Sequence, residues 1–160
     1  MPEKTIYIID VTNRDGVQTA RLGLAKLEKT IINLYLNDLG VFQSEMGFPT
    51  TGHEKNYIQA NLELAAMGVL SPIRLEGWVR AMAEDVEQGV EATGVKHLNV
   101  SISTSEQMTQ GKFAGGKTRE TIIDMMTAAV DKARAMGLAS VAVNAEDASR
   151  TDMPLTQVLM

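Results

Sequence analysis

The feature that most constrains the fold is a repeated alternation of short β-branched runs with longer stretches of helical periodicity. The short runs carry apolar residues at successive positions, which is typical of parallel strands buried on both faces. The predicted strands are Thr5–Asp10, Val41–Glu45, Ile73–Val79, His97–Ser103 and Ser140–Val143. The predicted helices are Ala25–Leu39, Glu54–Met67 and Thr118–Met136. Glycines that tolerate the positive φ of a helix end follow helical stretches at Gly40, Gly68, Gly94 and Gly137.

Such a repeating unit builds either a closed (β/α)8 barrel or an open doubly wound sheet. Polar clusters follow all the predicted strands, and a site assembled from many strand ends is typical of the barrel. An open sheet gathers its site at one switch point instead. We therefore predict an α/β TIM barrel. A complete barrel needs about 250 residues. Residues 1–160 are therefore expected to be the N-terminal part of one catalytic barrel domain, incomplete, with five strands and a further helix after Met153.

Composition and charge narrow the class of function. The chain is 44% hydrophobic and 22% charged, as ordinary globular domains are. It has no apolar run of membrane-spanning length and no signal-peptide pattern, so a cytoplasmic location is expected. The net charge is -5 and the basic residues are scattered, which argues against a nucleic-acid partner and favours a small ligand. Cysteine is absent, so a metal would need oxygen ligands or the imidazoles of His53 and His97.

The segment Asp10–Gln18, at the end of the first predicted strand, concentrates two carboxylates, a guanidinium and an amide. Asp15 could bind a hard divalent cation through oxygen. Arg14 beside it could neutralise charge that develops on a substrate oxygen. The structural alternative is an ion pair between Asp15 and Arg14 at a strand end, with Gly16 in a turn.

Four segments, in order along the chain, resemble one enzyme family. Asp10–Gln18 resembles the signature Asp-x-Thr-x-Arg-Asp-Gly-x-Gln of the metal-dependent lyases and synthases that include isopropylmalate, homocitrate, citramalate and Re-citrate synthases and HMG-CoA lyase. Ser44–Pro49 resembles the Glu-x-Gly-Phe-Pro of the synthases, where the lyases usually carry Ser-Phe. Ser103–Ser105 resembles the fourth-strand Thr-Ser, and Glu146–Asp152 resembles the Glu-Asp-Ala-x-Arg-Thr stretch. The Gly-Phe-Pro sequence after Glu45, in place of the Ser-Phe of the lyases, favours condensation over cleavage.

The resemblance implies an acyltransferase that joins acetyl-CoA to a small 2-oxo acid by Claisen condensation, with Mg2+ or Mn2+ as cofactor. Oxaloacetate giving citrate is favoured, because the segments are most similar to those of Re-citrate synthases, and 2-oxoisovalerate giving 2-isopropylmalate comes second. By the same resemblance Asp15 is a metal ligand and Arg14 stabilises the oxyanion, while Glu45 and Glu146 orient Arg14 and the oxo acid. The implied substrate-binding residues are Gln18, which also helps to hold the metal shell, Arg80, Thr104 and Asn144. The full-length protein is expected to be a homodimer.

Departures from the family pattern matter as well. The family's other metal ligands form a His-x-His pair on the seventh strand, which is not among the five strands predicted here. The chain alone is therefore expected to be inactive. His53, in the predicted loop after the second strand, and His97, at the amino end of the fourth, are interpreted as structural histidines rather than ligands. Ala142 stands where homocitrate synthases carry an arginine for the distal carboxylate of 2-oxoglutarate, which disfavours that substrate. Arg150 and Asp152 are interpreted as ion pairing at a helix start.

Two other functions stay open at this point. Gly111–Thr118 matches the P-loop pattern Gly-x-x-x-x-Gly-Lys-Thr, which would indicate a nucleotide hydrolase. Polar residues 104–110 separate it from the preceding strand, however, whereas a P-loop begins directly at a strand end. The structural alternative is that Gly115 and Gly116 break a loop and Thr118 caps the next helix. A half-barrel could also be a non-catalytic interaction module, provided that its open sheet edges are covered.

Overall fold

A computed structural model of the chain describes residues 5–152. Its strands are β1 (Ile9–Asp10), β2 (Gln43–Gly47), β3 (Arg74–Arg80), β4 (His97–Ser103) and β5 (Ser140–Glu146). Its helices are α1 (Lys26–Asp38), α2 (Gly52–Ala66), α3 (Ala83–Thr93), α4 (Glu106–Lys112) and α5 (Arg119–Ala135). Within residues 5–152, none of these helices is long and apolar enough to cross a membrane. The helix expected after Met153 lies outside the described residues.

The five strands form one parallel sheet in the order β1-β2-β3-β4-β5. Neighbours in the sheet are also neighbours in the chain, and the connections between β2 and β5 run through helices. This sequential order is that of a (β/α)8 barrel, because a doubly wound sheet reverses its strand order at a switch point. The described residues therefore form a curled half-barrel, which confirms the predicted fold class.

The element boundaries differ from the sequence predictions at several ends. β1 has two residues instead of the predicted Thr5–Asp10, and it has a sheet partner on one side only. β5 continues to Glu146 rather than stopping at Val143, because it pairs with β4 along its whole length. Periodicity predicts neither α3 nor α4. Both are short, and α3 contains Gly89, a residue that lowers helix propensity.

Side-chain caps explain where three of the helices begin. The hydroxyls of Thr51, Ser105 and Thr118 each accept a hydrogen bond, at 3.2 to 3.3 Å, from the backbone N–H three residues later. The cap at Thr118 confirms the sequence prediction for α5. At the other ends, a positive φ of 73 to 79° is found, as predicted, at Gly40, Gly68, Gly94 and Gly137.

The two faces of the sheet differ in polarity. The outer face packs on the helices, and in β4 it carries Leu98, Val100 and Ile102, which are at most 4% exposed. The opposite face, which we call the inner face, carries Glu45, Glu76, Asn99, Ser101, Ser103 and Glu146. The prediction of apolar residues on both faces is therefore wrong for the inner face. Alternate residues of a strand point to opposite sides, and the polar ones bond to each other across strands.

Candidate active site

The loop after β1 carries Arg14 and Asp15 at the carboxyl end of the sheet. Three successive backbone N–H groups, those of Arg14, Asp15 and Gly16, donate to the carbonyl of Val11 at 2.8 to 3.2 Å. A short 3-10 turn, Gly16–Gln18, follows directly. The backbone is therefore tightly wound where the two charged side chains begin, and its position is fixed by local hydrogen bonds.

The guanidinium of Arg14 is held by three neighbours. Its Nε donates to Glu45 in β2, its Nη1 donates to Asp15 at 2.8 Å, and its Cζ lies 5.1 Å from the ring centroid of Trp78. The side chain of Arg14 is 14% exposed, whereas that of Asp15 is 61% exposed. The ion pair between Arg14 and Asp15, which the sequence offered as a purely structural role, is thus formed. Arg14 is also bonded to the buried carboxylate of Glu45. A positive charge fixed in this way suits a group that stabilises negative charge on a reacting oxygen.

Glu45 and Glu76 are two buried carboxylates on neighbouring strands, 1% and 2% exposed. Glu45 is compensated by Arg14 and by Asn99, whose Nδ2 donates to it at 2.5 Å. Burial, assisted by the negative charge of Glu45 and opposed by a hydrogen bond from Gln43, raises the pKa of Glu76 to about 7. Sequence reasoning missed Glu76 and Asn99. The sequence signal that could have identified them is the polar residues at alternate positions of β3 and β4, whose other positions are apolar.

A buried network of amide and hydroxyl groups anchors the loop after β1 to the helices. Asn13, fully buried, donates through Nδ2 to the carbonyl of Lys29 and to Oδ1 of Asn33, both at 2.9 Å. Asn33 in turn donates to the hydroxyl of Tyr57 at 2.8 Å. The residue that precedes Arg14 is therefore tied to α1 and, through it, to α2. This network was also missed by sequence reasoning.

A second polar cluster surrounds Glu146 at the end of β5. Its carboxylate accepts hydrogen bonds from the hydroxyl of Ser103, from Nζ of Lys112 at 2.9 Å and from the hydroxyl of Ser101 at 3.4 Å. Burial alone would raise the pKa of Glu146, but the bonds from Ser103 and Lys112 and the charge of Lys112 outweigh it and lower the pKa. Glu146 is therefore an ionised hydrogen-bond acceptor at neutral pH.

A cavity of about 420 Å³ opens beside this cluster. The charged residues of its wall are Arg80, Lys112, Lys117 and Glu146. Arg80 lies at the cavity, as expected of a substrate-binding residue, but its Nε and Nη2 donate to Asp85 at 2.6 and 2.9 Å. The volume is sufficient for a small organic acid.

The other predicted substrate-binding residues lie at different places. Gln18 lines a separate cavity of about 170 Å³ beside the loop after β1. Asn144 pairs in register with Ser101, which places it on the inner face. Thr104 is 5% exposed, and its hydroxyl lies 2.6 Å from that of Thr151. Gln18 thus lies beside the loop after β1, whereas Asn144 and Thr104 lie beside the cluster around Glu146, where the hydroxyl of Thr104 also has a partner within the fold.

The two histidines lie in different elements, and His53 has its Nδ1 3.4 Å from the carboxylate of Glu54. His97 opens β4 at its amino end, with Nδ1 2.7 Å from the hydroxyl of Ser140. His53 lies in the first turn of α2 and not in a loop as predicted, because Thr51 caps that helix. Within residues 5–152, no three His, Cys, Asp or Glu side chains are grouped to hold a metal ion.

The segment that matches the P-loop pattern has a different structure. Gly111 and Lys112 end α4, and Lys112 contacts Glu146 in β5. A P-loop instead connects a strand directly to the helix that follows it. Positive φ values occur at Ala114 and Gly115. The geometry therefore does not support a phosphate-binding loop.

Arg150 and Asp152 both make ion pairs, as interpreted from the sequence, although not with each other. Arg150 pairs with Asp147 at 2.7 Å, and Asp152 pairs with Arg119 at 3.3 Å. A 3-10 turn, Ala148–Arg150, rather than an α-helix begins here within the described residues.

Sequential β/α units with charged groups at the carboxyl ends of β1, β2 and β5 define the class as a TIM-barrel protein. A family model described as HMGL-like matches residues 5–158, and the chain belongs to that family.

Named relatives agree with this assignment. The Citrate (Re)-synthase of Dehalococcoides mccartyi (strain CBDB1) is 64% identical over 149 residues, which are 92% of this chain and 36% of that protein. The 2-isopropylmalate synthase 2 of Caldanaerobacter subterraneus subsp. tengcongensis is 42% identical over 151 residues, 94% of this chain and 37% of that protein. The chain thus spans little more than a third of the length of these relatives. The crystal structure of Bacillus subtilis HMG-CoA lyase covers 99% of this chain and 56% of its own with a TM-score of 0.70, and at 17% identity it supports the fold alone.

Proposed function

We propose that this chain supplies part of the active site of an acyl-CoA:2-oxo acid C-acyltransferase that uses acetyl-CoA. The observation that carries the proposal is the guanidinium of Arg14, fixed between Glu45 and Trp78 with the exposed carboxylate of Asp15 beside it. The relatives are named as synthases, which favours condensation over nucleotide hydrolysis and over a non-catalytic half-barrel module.

Acetyl-CoA loses a methyl proton to become an enolate, whose carbon bonds to the ketone carbon of the 2-oxo acid as the C=O π bond opens; water then cleaves the thioester and releases CoA. In the bond-forming step, negative charge develops on the ketone oxygen. The guanidinium of Arg14 carries a positive charge and donates hydrogen bonds to that oxygen. Glu45 keeps the guanidinium oriented by accepting from its Nε. Glu146, Arg80 and Asn144 orient the oxo acid, and Thr104, bonded to the main-chain carbonyl of Glu146 at 3.1 Å, positions that strand end.

The donor set near Arg14 fits a hard divalent cation. Asp15 offers carboxylate oxygens in an exposed position, and Gln18 offers an amide oxygen one 3-10 turn later. Mg2+ or Mn2+ held there would polarise the ketone as a Lewis acid. Because one carboxylate with water binds Mg2+ weakly, we expect additional ligands from the remainder of a complete barrel.

Oxaloacetate is our first choice of 2-oxo acid, because the Citrate (Re)-synthase relative is 64% identical. The choice of 2-oxoisovalerate comes second, since the 2-isopropylmalate synthase relative is 42% identical. We propose that the complete enzyme is a cytoplasmic homodimer. Ala142, on β5, offers no positive charge for the longer 2-oxoglutarate, which should be a poor substrate.

The roles of Arg14 and Asp15 are tested in a complete barrel. This is either the longer protein that carries this segment or the chain assembled with a second polypeptide that completes the barrel. Acetyl-CoA consumption is measured with oxaloacetate, 2-oxoisovalerate, pyruvate and 2-oxoglutarate. With the best substrate, Arg14→Ala should lower kcat about 100-fold, as loss of an oxyanion donor does, and Asp15→Ala should abolish metal-dependent turnover.

The matched control is Arg119→Ala, which removes an arginine from the surface pair with Asp152 and should leave kcat unchanged. Near-normal turnover of Arg14→Ala or of Asp15→Ala would contradict the assigned roles. A preference for 2-oxoglutarate would show that the argument from Ala142 is wrong.

A further inference from the structure

The cavity beside Glu146 carries more positive than negative charge. Arg80, Lys112 and Lys117 reach its wall, and Glu146 is the only carboxylate among its described lining residues. Apolar groups such as the ring of Phe113 complete the wall. A small cavity with this charge excess attracts an anionic ligand.

Lys112 is the cation that is best placed to bind such a ligand. An ammonium group has three N–H donors. Within residues 5–152, the ammonium of Lys112 directs two of them to the hydroxyl of Ser103 at 3.0 Å and to Glu146 at 2.9 Å. Its side chain is 46% exposed at the end of α4, so a third donor is accessible from the cavity.

The two other cations are occupied differently. Arg80 directs two N–H groups at the carboxylate of Asp85, at 2.6 and 2.9 Å, which neutralises much of its charge. Lys117 lies over the ring of Phe113, 5.4 Å from its centroid, and Lys112 lies 6.0 Å from the same centroid, but Lys112 also bonds to Ser103. Only Lys112 therefore combines a contact to an inner-face serine with an accessible donor in this cavity.

We propose that Lys112 is a specificity-determining residue that binds the second carboxylate of a dicarboxylic 2-oxo acid. This inference rests on the proposed function and narrows its substrate class. The 2-oxo end of the substrate lies at Arg14, which is bonded to β2, and the second carboxylate lies near Ser103 of β4. Both positions lie at the carboxyl end of the sheet, where the loop after β1 carries Arg14 and β4 ends at Ser103.

The test compares two classes of 2-oxo acid in the complete barrel. The values of kcat/KM are measured with oxaloacetate, a dicarboxylic acid, and with pyruvate and 2-oxoisovalerate, which have one carboxylate. Lys112→Met should lower kcat/KM for oxaloacetate about 10- to 100-fold more than for the monocarboxylic acids, as loss of a charge-assisted hydrogen bond does. Lys112→Arg keeps the charge and should retain most of the preference. The control Lys117→Met should leave the ratio unchanged.

The ratio separates substrate recognition from a structural role, because loss of the bond between Lys112 and Glu146 would slow both classes equally. An equal fall for both classes would overturn the inference, even if the enzyme remained a condensing enzyme. Wild-type preference for a monocarboxylic acid would overturn it too, while the proposed function would stand. Consumption of none of the three acids would instead remove the proposed function, and the inference with it.

Discussion

Replacement of Asn33 by alanine should destabilise the complete protein severely, because this buried amide uses all of its hydrogen-bonding capacity. Its Oδ1 accepts from Asn13 at 2.9 Å and from Ser44 at 2.8 Å. Its Nδ2 donates to Tyr57 at 2.8 Å and to Asn61 at 3.0 Å. Each lost hydrogen bond costs about 1 kcal/mol, or more where a buried partner is left unpaired. Alanine regains about 0.5 kcal/mol of helix propensity, so the free energy of unfolding should fall by about 3 to 4 kcal/mol.

The measurement is a urea titration followed by circular dichroism, and the matched control is Asn37→Ala, one turn later in α1. Asn37 is half-buried, and within the described part of the chain its side chain makes a single long hydrogen bond, accepting from the backbone N–H of Ile73 at 3.3 Å. The helix-propensity change is the same in both variants, so it cancels in their difference. Asn37→Ala should cost less than about 1 kcal/mol. Equal effects of Asn33→Ala and Asn37→Ala would refute the reasoning, since they would show that the network adds nothing to stability.

Two further predictions concern stability. Burial and the charge of Glu45 raise the pKa of Glu76 from 4.5 to about 7, so the native state binds this proton more tightly than the unfolded state. The free energy of unfolding should therefore fall by about 3 kcal/mol as pH rises through that interval, and urea titrations of Glu76→Gln should show a flatter profile; an unchanged profile would count against the raised pKa. In Gly47→Ala the added Cβ would push the carboxylate of Glu54 away from the buried ammonium of Lys29, which should cost about 1 to 3 kcal/mol in the same assay, whereas Gly52→Ala, with nothing within 4 Å, should cost less.

The sequence by itself determined the fold class and the positions of the main charged groups. Periodicity is a local property of the chain, so the strand and helix pattern could be predicted. The polar clusters after the strands then favoured a barrel over an open sheet. Arg14, Asp15 and Glu146 could be singled out because they lie at or directly after strand ends, where parallel strands bring functional groups together. The four glycines that follow helices with a positive φ, and the cap at Thr118, were equally local signals.

Only the tertiary structure decided which side chains these groups contact. Asn99 reaches Glu45 across 54 residues of chain, and Lys112 reaches Glu146 across 34. Neither contact has a signal in local sequence, because cross-strand neighbours are set by strand order and register. The pattern of an apolar strand does not tell which of its alternate positions will face helices and which will face other polar groups. For that reason the polar inner face, the raised pKa of Glu76 and the cavity at Lys112 emerged only when the five strands were placed side by side.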